Sequence, residues 1–222
     1  MRPTLCGVAV LSLGLSSVLP AAVPRRAYEA EPHLPRRLAI AAEGSGLRPN
    51  VLRLALRAHA RAVAERLTIR PVLTVIDYSV RSRDKRLWVI DVERGAVLAH
   101  ELVAHGRNTG EDHAERFSNQ PGSLQSSLGT FLTGTAYYGK HGLSLRLRGL
   151  QETNDRAEAR AIVVHGADYV SAGMVEQLGR LGRSQGCPAL SLLAAPRVIR
   201  LIQDGTILFA YHPSLTRELA VR

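Results

Sequence analysis

PVLTVIDYSVRSRDKRLWVIDVERGAVLAHELVAH, residues 71–105, decides the fold class. It contains three runs of strand length, at 71–79, 86–92 and 96–105, each β-branched or alternating between apolar and polar positions. Glu93-Arg94-Gly95, between the last two, is a hairpin turn signal. Runs of the same kind recur at GTFLTG (129–134), LSLRLRGL (143–150), RAIVVHG (160–166) and TILFAYH (206–212). The pattern predicts one mainly β domain with flanking helices, an α+β class, over residues 71–213.

Outward from this stretch the periodicity changes. NVLRLALRAHARAVAERL (50–67) places Leu52, Ala55, Leu56, His59, Ala60, Val63 and Leu67 at three- and four-residue steps. That spacing predicts a helix within an N-terminal helical segment, 47–70, capped by Asn50, with His59 packed on its apolar side. A second helix is expected over 191–204, with Ser191 as a possible cap and Pro196 near its first turn. Residues 106–127 are polar and form a long loop, a length that in a compact domain is usually functional. Residues 23–46 read as a Pro/Arg-rich linker. Residues 1–22, MRPTLCGVAVLSLGLSSVLPAA, combine a positive start, an uncharged apolar run and small residues before a cleavage point. They predict a signal peptide, hence export to the periplasm or cell envelope, with membrane contact only through an uncleaved leader.

Composition narrows the function classes. In 222 residues, 45% hydrophobic and 22% charged content exclude a mainly disordered chain and a multi-span membrane protein. The formal charge of +10 suits a polyanionic partner. Aromatic residues are 5% and do not interleave with basic ones, which argues against nucleic acid as that partner. Two cysteines exclude a disulfide scaffold and a four-cysteine zinc module. Loss of the leader removes Cys6 and leaves Cys187 alone. A lone thiol in an exported protein is an inert buried residue, an intermolecular bridge or a reactive nucleophile.

The reactive option has support nearby. Ala161-Ile162-Val163-Val164 is a buried-strand run that ends at His165-Gly166, and a Gly-rich basic connector then leads to Gly182-Arg183-Ser184-Gln185-Gly186-Cys187-Pro188. The connector is long enough to return beside the strand end. Gly186 permits a tight turn and close approach of substrate. Pro188 has no N–H, so oxyanion donors would come from Cys187, Gly186 and Gln185. Arg180 and Arg183 would lower the thiol pKa. His165 is placed as the base, with the Gly166 carbonyl orienting its ring in place of a carboxylate.

These residues resemble the catalytic signature of the L,D-transpeptidases, the YkuD-like domains: a strand ending His-Gly, then Ser-x-Gly-Cys. The resemblance extends over about Val72 to Tyr211 through FSNQPGSLQSSLG (117–129), YYGKHGLSLRL (137–147), ARAIVVHGAD (159–168) and GRLGRSQGCPAL (179–190). It implies a β-sandwich-type catalytic domain with the cysteine at its mouth. It also implies a mechanism without metal or organic cofactor, acting on peptidoglycan stem peptides. Cys187 would attack the bond between the third stem residue and the D-alanine at position four. His165 would move the proton, and an amine would resolve the thioester into a 3→3 cross-link. Water as acceptor would make the protein an L,D-carboxypeptidase. A non-catalytic peptidoglycan-binding domain is the remaining alternative.

The sequence departs from the family pattern at three positions. Pro188 and Ala189 replace a branched residue and an arginine after the cysteine, and Gln185 stands where a histidine or basic residue is common. Arg183 is the candidate to hold the stem carboxylate instead, with His141 and Tyr138 lining the groove and Ser184 binding the turn or substrate. His141 is also a rival base. A zinc site from His105, His113, His141 and His165 would need a spacing that matches no compact ligand motif, and HExxH is absent.

Overall fold

The structure is a computed structural model that describes residues 36–215. The expected leader at 1–22 and the first part of the expected linker lie outside the described residues. No helix among the described residues is long and apolar enough to cross a membrane.

The strands are β1 (Val72–Asp77), β2 (Leu87–Asp91), β3 (Ala96–Glu101), β4 (Gly129–Gly139), β5 (Gly142–Gly149), β6 (Val163–Ala167), β7 (Ala189–Ser191) and β8 (Ile207–Tyr211). They form one sheet in the order β3-β2-β1-β8-β4-β5-β6-β7. Neighbours run antiparallel except β1 with β8 and β6 with β7. The chain just beyond β3 bridges to β7 at Ala104–Ala189, so the two edges of the sheet meet. The sandwich-type domain expected from the sequence is therefore made by one sheet curled on itself, with β7 covered where it bridges to Ala104.

Helix α4 (Ala194–Ile202) fills the concave side, touching β1, β2 and β4 through β7. Ala194, Ala195, Val198, Ile199 and Ile202 are buried there at helical spacing. Ser191 Oγ accepts from the Ala194 N–H at 3.1 Å, although the helix begins two residues later than a Ser191 cap implies. Helix α2 (Pro49–Ala64) covers β1 and β8 from the other side. Burial on both faces explains why β1 and β8 read as continuous apolar runs rather than alternating ones. His59 packs as expected, with Nε2 on the Arg70 carbonyl at 2.9 Å.

Three local expectations need correction. Residues 36–44, assigned to the linker, form helix α1, with Leu38 and Ala42 buried. The cap of α2 is Arg48 rather than Asn50, because Pro49 occupies the first helical position, where its missing N–H costs nothing. Arg48 then ties the helix to β1 through Asp77 Oδ2 at 2.7 Å. The connector after β6 holds a short helix, α3 (Ala172–Leu178), which buries none of its residues and so carries no apolar stripe in the sequence.

Candidate active site

A cleft of about 670 Å³ opens where four stretches of chain meet. They are the loop after β3, the β4–β5 hairpin, the approach to β6, and the turn at 183–187. Among sequence-predicted residues, His141, His165, Arg183, Ser184, Gln185 and Cys187 all line it.

The Cys187 turn is held by backbone ladders and two serines. Ala104 N–H donates to the Ala189 carbonyl at 2.8 Å, Ser184 N–H to the His105 carbonyl at 2.9 Å, and Arg107 N–H to the Ser184 carbonyl at 2.8 Å. Ser184 Oγ accepts from Gly186 N–H at 3.0 Å and donates to the Cys187 carbonyl at 2.6 Å. Ser126 Oγ accepts from Gly106 N–H and donates to the Gly186 carbonyl at 3.2 Å. Gly186 has φ +123°, and a Cβ there would sit 2.7 Å from the Gln125 carbonyl oxygen. Only glycine fits this position.

The parallel β6–β7 register pairs His165 with Ala189. Followed two residues back, it sets Cys187 beside Val163, whose backbone hydrogen-bonds the thiol. Cys187 is half-buried, with Sγ 3.9 Å from the Ala161 carbonyl oxygen. Burial pushes its pKa above the ordinary 9.0, against the opposing pull of the Val163 backbone, Arg160 and Lys140. Arg180 and Arg183, expected to depress it, are each paired with a carboxylate. Both bind Glu111, at 2.8 Å and 2.6 Å.

His165 is buried in β6, with Nδ1 2.9 Å from the Gly166 carbonyl oxygen. A carbonyl only accepts, so Nδ1 carries the proton and Nε2 keeps its lone pair. Its pKa lies below the ordinary 6.5, mainly through burial, with His141 and Lys140 pushing the same way. The His141 ring stacks on it at 4.4 Å between centroids.

Other predicted residues fall elsewhere. Tyr138 is 82% exposed and does not line the cleft, whereas its neighbour Tyr137 does. Alternation along β4 sends adjacent side chains to opposite faces. Arg183 lines the cleft, but its Nη1 already meets Glu111 and the carbonyls of Arg107 and Gly110. The Gly186 N–H, expected as an oxyanion donor, is taken by Ser184. No group of three His, Cys, Asp or Glu side chains suited to a metal occurs among the described residues.

Sequence reasoning missed Arg160, which pins the 118–127 loop through the Ser118 carbonyl at 2.7 Å, the Gln125 carbonyl and Ser127. It also missed Arg86, which lies wholly buried and forms no ion pair with a carboxylate among the described residues. Arg86 donates to the Val103 carbonyl from Nε and Nη2, to the Val80 carbonyl from Nη1, and to His105 Nδ1 at 2.8 Å. It also lies over the Tyr78 ring, 5.1 Å from its centroid. Burial lowers its pKa to about 10, which leaves it charged at neutral pH.

A family model described as L,D-transpeptidase catalytic domain matches residues 43–211. The chain belongs to this family. No curated protein matches it. Among solved structures, an L,D-transpeptidase from Mycobacterium smegmatis aligns at 16% identity and TM-score 0.40, over 64% of this chain and 59% of the other. One from Xylanimonas cellulosilytica aligns at 16% and 0.39, over 65% and 62%. L,D-transpeptidase 3 from Mycobacterium tuberculosis, solved with a faropenem-derived adduct, aligns at 15% and 0.40, over 64% and 60%. The chain thus spans about three-fifths of the length of those relatives.

Proposed function

We propose that this chain is an exported peptidoglycan L,D-transpeptidase with Cys187 as nucleophile and His165 as base. The carrying observation is the Nδ1–Gly166 bond, which leaves the Nε2 lone pair available in the cleft that Cys187 lines. The raised thiol pKa and lowered imidazole pKa describe a neutral pair at rest. Proton transfer therefore accompanies attack: His165 Nε2 takes the thiol proton as Sγ bonds to the carbonyl joining the third stem residue to the terminal D-alanine. The N–H groups of Gln185 and Cys187 make no hydrogen bond with any described residue, and they are the oxyanion donors of this reading. On collapse the C–N bond breaks, His165 returns the proton to the departing amine, and D-alanine leaves a thioester on Cys187. An amine of a second stem attacks the thioester, loses its proton to His165, and releases the thiol with a 3→3 cross-link. His141 orients the His165 ring from the mouth of the cleft, and Ser184 holds the turn.

Incubation with a disaccharide-tetrapeptide, read by mass spectrometry, tests this. Loss of D-alanine with a cross-linked dimer is expected, together with a Cys187 adduct from a carbapenem-type β-lactam. Loss of D-alanine without dimer would make water the acceptor. An adduct-free protein that binds the stem and leaves it intact would be a binding domain.

A further inference from the structure

Three lengths of chain meet backbone to backbone beneath the Cys187 turn. A Cβ on Gly106 would sit 2.4 Å from the Leu124 carbonyl oxygen and 3.0 Å from Gly186 Cα, and one on Gly186 would sit 2.7 Å from the Gln125 carbonyl oxygen. Ser126 is buried at this junction. Its N–H donates to Thr109 Oγ1 at 2.8 Å, and its Oγ accepts from the Gly106 N–H at 3.0 Å. The hydroxyl proton then goes to the Gly186 carbonyl, 3.2 Å away.

That last bond has a particular place in the turn. Ser184 holds the peptides on either side, through the Gly186 N–H and the Cys187 carbonyl. The peptide between them joins Gly186 to Cys187, and the Ser126 bond is its one hydrogen bond among the described residues. Glycine at 186 brings no side chain to resist rotation of that plane. The peptide is trans, so its C=O and N–H point to opposite sides. With the carbonyl drawn inward to Ser126, the Cys187 N–H is turned away from the junction, on a residue that lines the cleft.

We propose that Ser126 is a positioning residue for acyl transfer: by holding the Gly186 carbonyl inward, it aims the Cys187 N–H at the oxyanion that forms on the attacked carbonyl. The proposal rests on the transpeptidase reading above. Loss of the Ser126 hydroxyl leaves a buried carbonyl and the Gly106 N–H without partners, and rotation of the peptide brings that carbonyl to the water of the cleft. The same rotation replaces a donor with a carbonyl oxygen, which repels the oxyanion.

Two reactions of Cys187 separate the aim of its N–H from the reactivity of its sulfur. Alkylation by iodoacetamide displaces iodide from a saturated carbon and forms no oxyanion, whereas acylation by a carbapenem-type β-lactam passes through one. Ser126→Ala is expected to leave the alkylation rate unchanged and to slow acylation by about 10²- to 10³-fold, the cost of one oxyanion donor. Its crystal structure should show the Gly186 carbonyl turned toward the cleft. Ser126→Thr, which keeps the hydroxyl, should acylate like wild type. In a folded Ser126→Ala protein, unchanged acylation, an equal fall in both rates or an unmoved peptide overturns the proposal. If Ser126→Ala does not fold, the crystal structure of the wild-type carbapenem adduct decides. An acyl oxygen on the Cys187 N–H, with the Ser126–Gly186 bond intact, supports the proposal, and an acyl oxygen elsewhere overturns it. A turned peptide in Ser126→Ala, with a wild-type thiol that alkylates but is never acylated, keeps the hold of Ser126 on the peptide and removes the transpeptidase reading.

Discussion

Of the three histidines that stand before a glycine, His105, His141 and His165, the first and last differ most. His105 is fully buried, with Nδ1 on Arg86 and Nε2 on the Gly110 carbonyl at 3.2 Å. A guanidinium only donates, so Nδ1 must accept and the proton sits on Nε2. His165 holds the reverse tautomer, with its proton on Nδ1 toward Gly166. Burial and Arg86 drive the His105 pKa down to about 3, and both of its nitrogens are occupied. His165 also stays neutral but keeps one nitrogen uncommitted in a cleft shared with a thiol. A His-Gly dipeptide therefore carries no chemistry in itself. The neighbour that fixes the first nitrogen decides whether the second can act.

The largest expected effect tests this division directly. His165→Ala should lower kcat/KM for D-alanine release by about 10²- to 10⁴-fold, the usual contribution of a positioned base, while the melting temperature barely moves. Substituting Arg86 should do the reverse. Arg86→Met strips the Val80 and Val103 carbonyls and His105 Nδ1 of their donor. The cost, on the order of 3 kcal/mol, is read as a lower urea midpoint. A stable Arg86→Met protein, or unchanged turnover in His165→Ala, would break the contrast.

Acid sharpens the comparison. His105 has a folded pKa near 3 against an ordinary 6.5. The unfolded chain binds the extra proton first, so this stability is complete above pH 6.5 and drains as pH falls toward 3. His105→Gln can accept from Arg86 and donate to Gly110 without titrating. Its melting temperature should therefore fall less than wild type over that window, as a pH series of thermal melts would show. A smaller effect is expected at His141. Removing the ring stacked on His165 should reduce kcat/KM by up to about tenfold, the scale of an aromatic pair. In the same assay Tyr138→Ala, outside the cleft, should match wild type.

The contrast also explains what the sequence could reveal. The His165–Gly166 bond joins adjacent residues, so a reading of the chain alone could anticipate it. The Arg86–His105 contact depends on how β2 lies against the chain beyond β3, and the Arg183–Glu111 pair spans 72 positions. Nothing local announces either. Strands buried on both faces were legible as apolar runs, but β7 has three residues and no run to read. Helix α1 was hidden by a Pro/Arg-rich composition in which two buried residues suffice to dock it. The sequence does not tell Tyr137 from Tyr138, because pairing register, not residue type, decides which of the two faces the cleft.

The ladder that joins residues 104–107 to 184–189 is both the seam of the curled sheet and the bed of the Cys187 turn. Contacts between segments so far apart in the chain are the slow ones to form. A half-folded copy therefore carries Cys187 before its turn is set beside β6. In the transpeptidase reading proposed above, a reactive thiol would arrive only together with closure.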